Sequence, residues 1–555
     1  MLVRHYLSSQ IRQALQNAQA TGALPSFDIP EVRVEHPRQM SHGDYATPTP
    51  LELARLARMA PVEIASVTVK YLVQLDCVER VQVSPPGFIN FRLSNTWLQQ
   101  LVDRILVEGN QFGKIDLGKG KKVQVEFVSA NPTGPITLAR TRGGVIGDTL
   151  AGALKAAGYA VVREYYYNDA GRQIVLLGES VKLRYQQLIG HKVELGDEHY
   201  QGQYIVDIAQ QLVDKHGDAL YEEPIDFFAD YAKALIMDRQ RASLERINIV
   251  HDVYYNENDL YTSGRLWEAL EALRRRGYVY QTDDGAQWFR TTTFGDEKDR
   301  VLIRSIDGNP TYRLPDIAYH WHKAQRGFAK VIDVFGPDHH AVASQVLMGV
   351  QALGYETDFV HTLLHQTVSL IRDGQAVKMS TRKGVYVPLD ELIAEVGADP
   401  IRYFMLARSP DSPVEFDLDL AIEKSDKNPV YYIQNAHVRC AGILRKWIEA
   451  GYDVEMVQEA DLSLLTHENE LYFLRIAHRL PEIIESVVTR YEPHHLAFYT
   501  YELATAFHLT YETCRVLHSD VPEPLRLARL RFYLAAKTLF ARLLDLMGMS
   551  TPEVM

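Results

Sequence analysis

Val125-Glu126-Phe127-Val128-Ser129-Ala130-Asn131-Pro132-Thr133-Gly134-Pro135 is the stretch on which the reading of this chain turns. Val123–Val128 alternates enough to predict a strand. Residues 129–135 cannot continue it. Pro132 and Pro135 lack backbone donors and bias the residue before each out of the helical region. A loop is therefore predicted, then a helix over Thr137–Ala157 that stops at Gly158, then a second strand over Tyr159–Tyr166. Strand, loop, helix and strand in this order open a parallel α/β unit.

A loop that feeds a helix presents unpaired N–H groups, and such an end attracts anions. Gly143, Gly144 and Gly147 fall on the predicted helix, where each costs up to about 1 kcal/mol of propensity. Close packing or close approach of a ligand is the expected reason. By itself the segment fits either nucleotide binding or an ordinary tight strand-to-helix packing.

At 555 residues the chain exceeds one hydrophobic core, so several domains are expected. Residues 1–112 read as a small mixed domain, with helical patterning over Leu7–Ala18, Pro50–Arg58 and Pro61–Leu72 and strands at Val81–Ser84 and Phe88–Leu93. Residues 113–410 read as the α/β domain. An insertion over about 175–300 carries the helical runs Ile205–Lys215 and Phe227–Glu245. Val331–Val334 and Phe359–His365 are predicted to return to the core as strands. Residues 411–555 are predicted to be helical. Asn428 and Pro429 form a favoured helix start. Val430, Ile433, His437, Cys440, Leu444 and Trp447 then repeat as one apolar stripe, which makes His437 and Cys440 core residues.

Apolar residues make up 46% and charged residues 23%, which is ordinary globular usage and not that of a disordered chain. The net charge of −12 argues against a general nucleic-acid-binding coat, though a local basic surface can still serve one. Cys77, Cys440 and Cys514 are too scattered for a zinc site or a disulfide framework, so a reducing, cytoplasmic setting is expected. Met1–Arg12 lacks the pattern of a signal peptide, and no run is long and apolar enough to predict a membrane span.

Two further stretches carry chemistry. Gly336-Pro337-Asp338-His339-His340 comes after a predicted strand; its adjacent histidines have no third ligand nearby, so no metal site is expected. Ala376-Val377-Lys378-Met379-Ser380-Thr381-Arg382-Lys383-Gly384 is a basic loop with two hydroxyls. Its cations can neutralise a polyphosphate and the charge that develops on a leaving pyrophosphate. Seen in isolation it could also be a solvated basic turn.

The run 125–135, together with Arg163-Glu164-Tyr165-Tyr166-Tyr167-Asn168-Asp169-Ala170-Gly171-Arg172-Gln173, closely resembles the signature of bacterial arginyl-tRNA synthetases of class I. The resemblance runs from His42-Gly43-Asp44-Tyr45-Ala46-Thr47 to Pro552-Glu553-Val554-Met555. It implies a Rossmann-like parallel-sheet catalytic domain with an insertion, a small mixed N-terminal domain that touches tRNA, and an all-helical anticodon-binding bundle. It implies an arginine–tRNA ligase that forms arginyl adenylate from arginine and ATP, releases pyrophosphate, and transfers arginine to the 3′ end of tRNA. Mg²⁺ would travel with the nucleotide, with no structural zinc. The family is often monomeric.

The resemblance also assigns roles. The family's His-Val-Gly-His motif corresponds to Thr137-Leu138-Ala139-Arg140. The Thr137 hydroxyl can still meet a phosphate oxygen. Ala139 puts a methyl where the family's glycine lets adenine lie against bare backbone. Arg140 could reach phosphate as a bidentate donor. Lys378, Met379 and Ser380 match the family's lysine-methionine-serine loop, whose second lysine is Thr381 here. Because Gly134 occupies the position of a compensating lysine, the missing charge is expected from Arg382, Lys383 or Arg140, with Arg140 partly replacing the lysine. Gly336 and Asp338 would hold the ribose, with His340 near the adenylate. Glu126 would meet the α-amino group of arginine and Asp316 its guanidinium, with Ser129, Asn131 and Tyr312 beside them. Tyr312 and Asp316 share a face if Pro310–Ala318 opens a helix, although Pro315 is expected to disturb it. Tyr431, Gln434, His437 and Arg439 resemble anticodon-binding positions, and Tyr501, His508 and Tyr511 could reach a splayed base. The altered 137–140 segment leaves two alternatives: a paralogue that binds tRNA or arginine for regulation or scaffolding, or an enzyme that passes activated arginine to another acceptor.

Overall fold

The structure is a computed structural model that describes residues 2–337, 340–377 and 387–555. The first elements are α1 (Val3–Ala20), β1 (Tyr45–Thr47), α2 (Thr49–Ala57), α3 (Pro61–Tyr71), β2 (Val78–Ser84), β3 (Phe88–Leu93) and α4 (Asn95–Glu108). The strands form an antiparallel sheet in the order β1-β3-β2. Gly43 turns the chain into β1 at φ +98°, where a Cβ would lie 2.6 Å from the Phe91 carbonyl oxygen.

The central unit begins as predicted, with β4 (Lys122–Glu126), α5 (Leu138–Ala156) and β5 (Ala160–Tyr167). Thr137 is the N-cap of α5 rather than its first residue, and its side chain accepts from the Arg140 N–H at 3.5 Å. Then come α6 (Arg172–Leu188), α7 (Gln203–His216), α8 (Ile225–Glu245), β6 (Val253–Asn256), α9 (Asn258–Thr262), α10 (Arg265–Arg275), β7 (Val279–Gln281), β8 (Gln287–Phe289) and β9 (Arg300–Ile303). Next are α11 (Arg313–Gln325), β10 (Lys330–Phe335), α12 (His340–Ala352), β11 (Val360–Leu364), β12 (Val368–Arg372) and β13 (Gln375–Ala376). The unit closes with α13 (Leu389–Val396), α14 (Ala398–Leu406), β14 (Val414–Asp417) and α15 (Leu418–Ile422).

Five strands pair in parallel in the order β11-β10-β4-β5-β6. The connection reverses direction between β4 and β10, and ligands of such sheets bind outside the carboxyl ends at that switch point. β6 corrects the expected insertion. It lies inside residues 175–300, yet it is the fifth strand of the core sheet. Four residues, Val-Tyr-Tyr-Asn, are too short a run for alternation to reveal, and pairing with β5 makes them a strand.

The glycines of α5 serve packing. A Cβ on Gly147 would lie 2.4 Å from the Phe127 ring, one on Gly144 would lie 3.0 Å from Val128 and Ile249, and one on Gly143 would lie 2.9 Å from His365. The helix therefore rests directly on the ends of the strands.

The helices α16 (Pro429–Glu449), α17 (Glu468–Ala477), α18 (Leu480–Arg490), α19 (His494–Thr513) and α20 (Glu523–Leu546) complete the chain. Asn428 caps α16 by accepting from Val430 N at 3.0 Å. The apolar stripe is buried as expected, with His437 bonded to the Pro552 carbonyl at 2.8 Å. One apolar core runs through the N-terminal elements, α5 and the bundle. Polar joints cross it: Arg475 meets Asp44 at 3.0 Å, the Tyr45 hydroxyl donates to Glu482 at 2.7 Å, and Arg402 meets Asp148 at 2.6 Å. The three cysteines are buried and unpaired. Among the described residues no helix is long and apolar enough to cross a membrane.

The α5 contacts set two opposite expectations. Gly147→Ala should lower the denaturation midpoint, because overpacking costs about 1–3 kcal/mol against about 1 kcal/mol of helix propensity gained. Gly152→Ala, whose Cβ would meet only the Leu546 carbonyl oxygen at 3.6 Å, should leave the midpoint equal or raise it. Urea denaturation tracked by circular dichroism distinguishes the two.

Candidate active site

At the carboxyl ends of the strands lies a cleft of about 370 Å³. Glu126, Ser129 and Asn131 enter it from the end of β4, Tyr166 and Asn168 from β5, Asp333 and Phe335 from β10, and Tyr312, Asp316 and His320 from α11. Arg140 from α5 and Glu257, just beyond β6, also line it.

The floor is a row of acids. Strand register sets Asp333 beside Glu126 and Glu126 beside Glu164. Helix α11 supplies the countercharges. Lys323, fully buried, places Nζ 2.6 Å from Glu126 and 2.7 Å from Asp333. Burial alone would push its ammonium down, but Asp333, Glu126 and Glu164 outweigh that and hold its pKa above the ordinary lysine value. Arg326 pairs with Glu164, which also accepts from the Tyr319 hydroxyl at 2.7 Å. His320 spans Asp333 at 2.8 Å and the Asp316 carbonyl at 2.7 Å. Burial tends to raise the Asp333 pKa, but Lys323 and His320 overcome it and hold the carboxyl well below its ordinary range.

Glu126 is held from both sides, because its other oxygen accepts from the Ser129 hydroxyl at 2.9 Å. Ser129 in turn accepts from Tyr166 N at 3.2 Å. The Asn131 side chain accepts from Asn168 N at 2.9 Å and donates to Gln173 at 3.0 Å. At the far end, Asp316 is half-buried and its carboxylate accepts no hydrogen bond from a described residue. Burial first, then the charges of Glu257 and Glu126, push its pKa up to about 7 against the opposing pull of His320. Glu257 is also raised by burial, and it accepts from the Tyr166 hydroxyl and the Asn168 amide, both at 2.8 Å.

The structure therefore gathers Glu126, Ser129, Asn131, Arg140, Tyr312 and Asp316 around one cleft. Helix α11 opens at Arg313, with Tyr312 as its N-cap, so Pro315 falls in the first turn and does not break it. Thr137 caps α5, and Ala139 on the first turn is exposed. The Arg140 guanidinium donates to the Val128 carbonyl at 2.8 Å. A Cβ on Gly336 would meet no described atom within 4 Å. Asp338 and Lys378, Met379, Ser380, Thr381, Arg382 and Lys383 lie outside the described residues, as does the side chain of His340. Glu257, Lys323 and Asp333 belong to the site without any sequence signal that marks them. Glu257 has no local pattern around it, and the other two become partners only when β4, α11 and β10 assemble. In the bundle, Gln434, His437 and His508 are buried, Arg439 lies over the Tyr511 ring at 4.7 Å, and Tyr501 is exposed. Among the described residues no cluster of acids, histidines or cysteines could hold a metal ion.

Known proteins resemble this chain over its whole length. Residues 101–403 match the catalytic domain model of class I tRNA synthetases (R), residues 5–93 the arginyl tRNA synthetase N-terminal domain, and residues 433–555 the DALR anticodon-binding domain. The arginine–tRNA ligase of Dehalococcoides mccartyi strain CBDB1 is 41% identical over 560 residues, covering 100% of this chain and 99% of that protein. That of Salinibacter ruber is 43% identical over 573 residues, covering 100% of both. The arginyl-tRNA synthetase structure from Thermus thermophilus superposes with a TM-score of 0.76 at 23% identity, covering 100% of each chain, and shares the fold.

Removing Lys323 should expose what the acid row costs. Lys323→Met leaves two buried carboxylates without their shared cation, and a stability loss of about 3–5 kcal/mol is expected in urea titrations. A loss below about 1 kcal/mol would mean that the lysine merely fills space. In the unaltered protein the Asp333 contribution is present above the unfolded carboxyl value and is lost as pH falls through the depressed folded value.

Proposed function

Since the chain belongs to the class I arginyl-tRNA synthetases, we infer that it is an arginine–tRNA ligase, activating arginine with ATP and transferring it to tRNA. One observation carries the substrate assignment. The cleft is lined by a fixed carboxylate, Glu126, and by two further carboxyl groups, Asp316 and Glu257. A free α-ammonium and a guanidinium are the two cations that such a cleft can satisfy at once.

In this reading Glu126, steadied by Lys323 and Ser129, receives the α-amino group. Asp316 and Glu257 receive the guanidinium, with the exposed Tyr312 ring at the mouth. The arginine carboxylate attacks the α-phosphate of ATP, pyrophosphate leaves, and the terminal ribose hydroxyl of tRNA then takes the arginyl group. No protein nucleophile is needed; the residues place the reactants and compensate charge. Thr137, at the start of α5, and the basic-loop residues Lys378, Ser380, Arg382 and Lys383 are assigned to the triphosphate. Gly336, Asp338, His340 and Met379 are assigned to the nucleoside, with Mg²⁺ carried by ATP. The bundle and the N-terminal domain take the tRNA, and the ligase works as a cytoplasmic monomer. Because the Ala139 methyl is exposed and displaces no protein atom, any crowding falls on the nucleotide alone.

Arginine-dependent ATP–pyrophosphate exchange, with and without tRNA, tests the activity; no exchange in either condition would reject it. Arginine binding favours ionised Asp316, whose pKa burial pushes up to about 7. The KM for arginine should therefore climb as pH drops below that value, by up to about tenfold per pH unit for one proton. A flat profile would exclude Asp316 as the guanidinium partner. Asp316→Asn should weaken arginine binding by about 1.5–3 kcal/mol, the worth of a hydrogen bond to a charged group. For Ala139→Gly, tighter ATP binding by calorimetry is expected, and equal or weaker binding would dismiss the steric argument.

A further inference from the structure

Arg140 lines the cleft at the position that corresponds to the second histidine of the family's motif, and its guanidinium is engaged by the loop that precedes the helix. Nη1 donates to the Val128 carbonyl at 2.8 Å. Val128 and Ser129 are consecutive residues at φ +69° and +44°. A β-branched residue in the left-handed region is an outlier that persists only where its surroundings over-determine it.

Helix α5 supplies those surroundings twice. Gly144 leaves room for the Val128 side chain, since a Cβ there would lie 3.0 Å from Val128 Cγ2. Arg140, one turn earlier on the same helix face, takes the Val128 carbonyl. The kink so fixed has one consequence for the cleft. It delivers Ser129 Oγ to Glu126 at 2.9 Å and beneath Tyr166 N at 3.2 Å. The far side of the same loop is held independently: Gln240 of α8 donates to the Asn131 and Gly134 carbonyls at 3.0 and 2.7 Å.

We propose that Arg140 is a positioning residue for the arginine pocket, acting through the Val128–Ser129 kink on Glu126, and not a ligand of the ATP phosphates. A permanently cationic donor suits that task, because a charge-assisted bond to a carbonyl is about twice as strong as a neutral one. The proposal rests on the assignment of this cleft to arginine.

The two roles separate by substrate. Arg140→Met and Arg140→Lys are assayed by ATP–pyrophosphate exchange in the presence of tRNA, varying arginine and ATP in turn. Arg140→Met should raise the KM for arginine at least about fivefold while the KM for ATP stays within about twofold, and Arg140→Lys should fall between it and the parent. Combining Arg140→Met with Ser129→Ala should give a KM for arginine no worse than that of the weaker single variant, since both act through one chain of contacts. A rise confined to ATP, an equal rise for both substrates, or no change in either overturns the proposal. If the unaltered protein shows no exchange, the ligase reading fails first. Calorimetric titration with arginine alone then decides the inference: weaker binding by Arg140→Met supports it, and equal binding, or none by the unaltered protein, defeats it.

Discussion

The bridge from Lys323 to Glu126 and Asp333 is the interaction on which the cleft depends. In-register parallel strands stand about 4.8 Å apart, so the carboxyl edge of the sheet sets Asp333, Glu126 and Glu164 side by side. Carboxylates so close cannot all remain ionised without countercharge. Helix α11 provides it by its own periodicity. His320, Lys323 and Arg326 recur every three residues and face the acid row, while Asp316, one turn before His320, lies on the same face but beyond the row. The helix that neutralises the floor therefore also presents to the cleft a carboxyl group with no salt bridge to a described residue.

The loop after β4 poses a different constraint. Its prolines and its turn deny it regular backbone pairing, so its carbonyls must be satisfied by side chains. The Tyr165 hydroxyl donates to the Ala130 carbonyl at 2.9 Å, and the Tyr204 hydroxyl donates to that of Thr133 at 2.8 Å. Gln240 spans two more carbonyls, and Arg140 takes that of Val128. Leaving a buried acceptor unmet costs about 1–3 kcal/mol, so helices α7 and α8 are part of the site's construction although they line none of the cleft. This also gives the glycines of α5 a shared purpose: they let the helix lie close enough for its first turn to reach the loop that precedes it.

Much of this was legible in the sequence because local rules agreed. The prolines, Gly158, Asn428 and the apolar stripe of α16 each fixed a boundary by its own chemistry, and the structure shows them within a residue or two. Glu126, Ser129, Asn131, Tyr312 and Asp316, which line the cleft, were legible through their resemblance to a known signature. What could not be read was long-range. β6 is too short to signal itself and is a strand only because β5 lies beside it. Glu257 looks like any surface acid until Tyr166 and Asn168 fold over it. The bond from Arg140 to the Val128 carbonyl could not be read either, because that carbonyl is placed by a backbone kink that propensities disfavour.

Helix α5 joins these constraints to the rest of the chain. Its first turn meets the loop, and at its middle Asp148 is shared by Arg163 at 3.0 Å and by the fully buried Arg402 at 2.6 Å. Arg402 also donates to the Ile247 carbonyl at 2.8 Å and to that of Met547, where α20 ends. The fit there is tight enough that a Cβ on Gly548 would fall 2.2 Å from the guanidinium carbon. A helix of 19 residues spans about 28 Å, and α5 contains no proline. The end of the helical bundle is thus packed, through Arg402, against the middle of the same helix whose first turn meets the loop. The bundle is, by this construction, in packed contact with the helix whose first turn reaches the loop that carries Ser129 to Glu126.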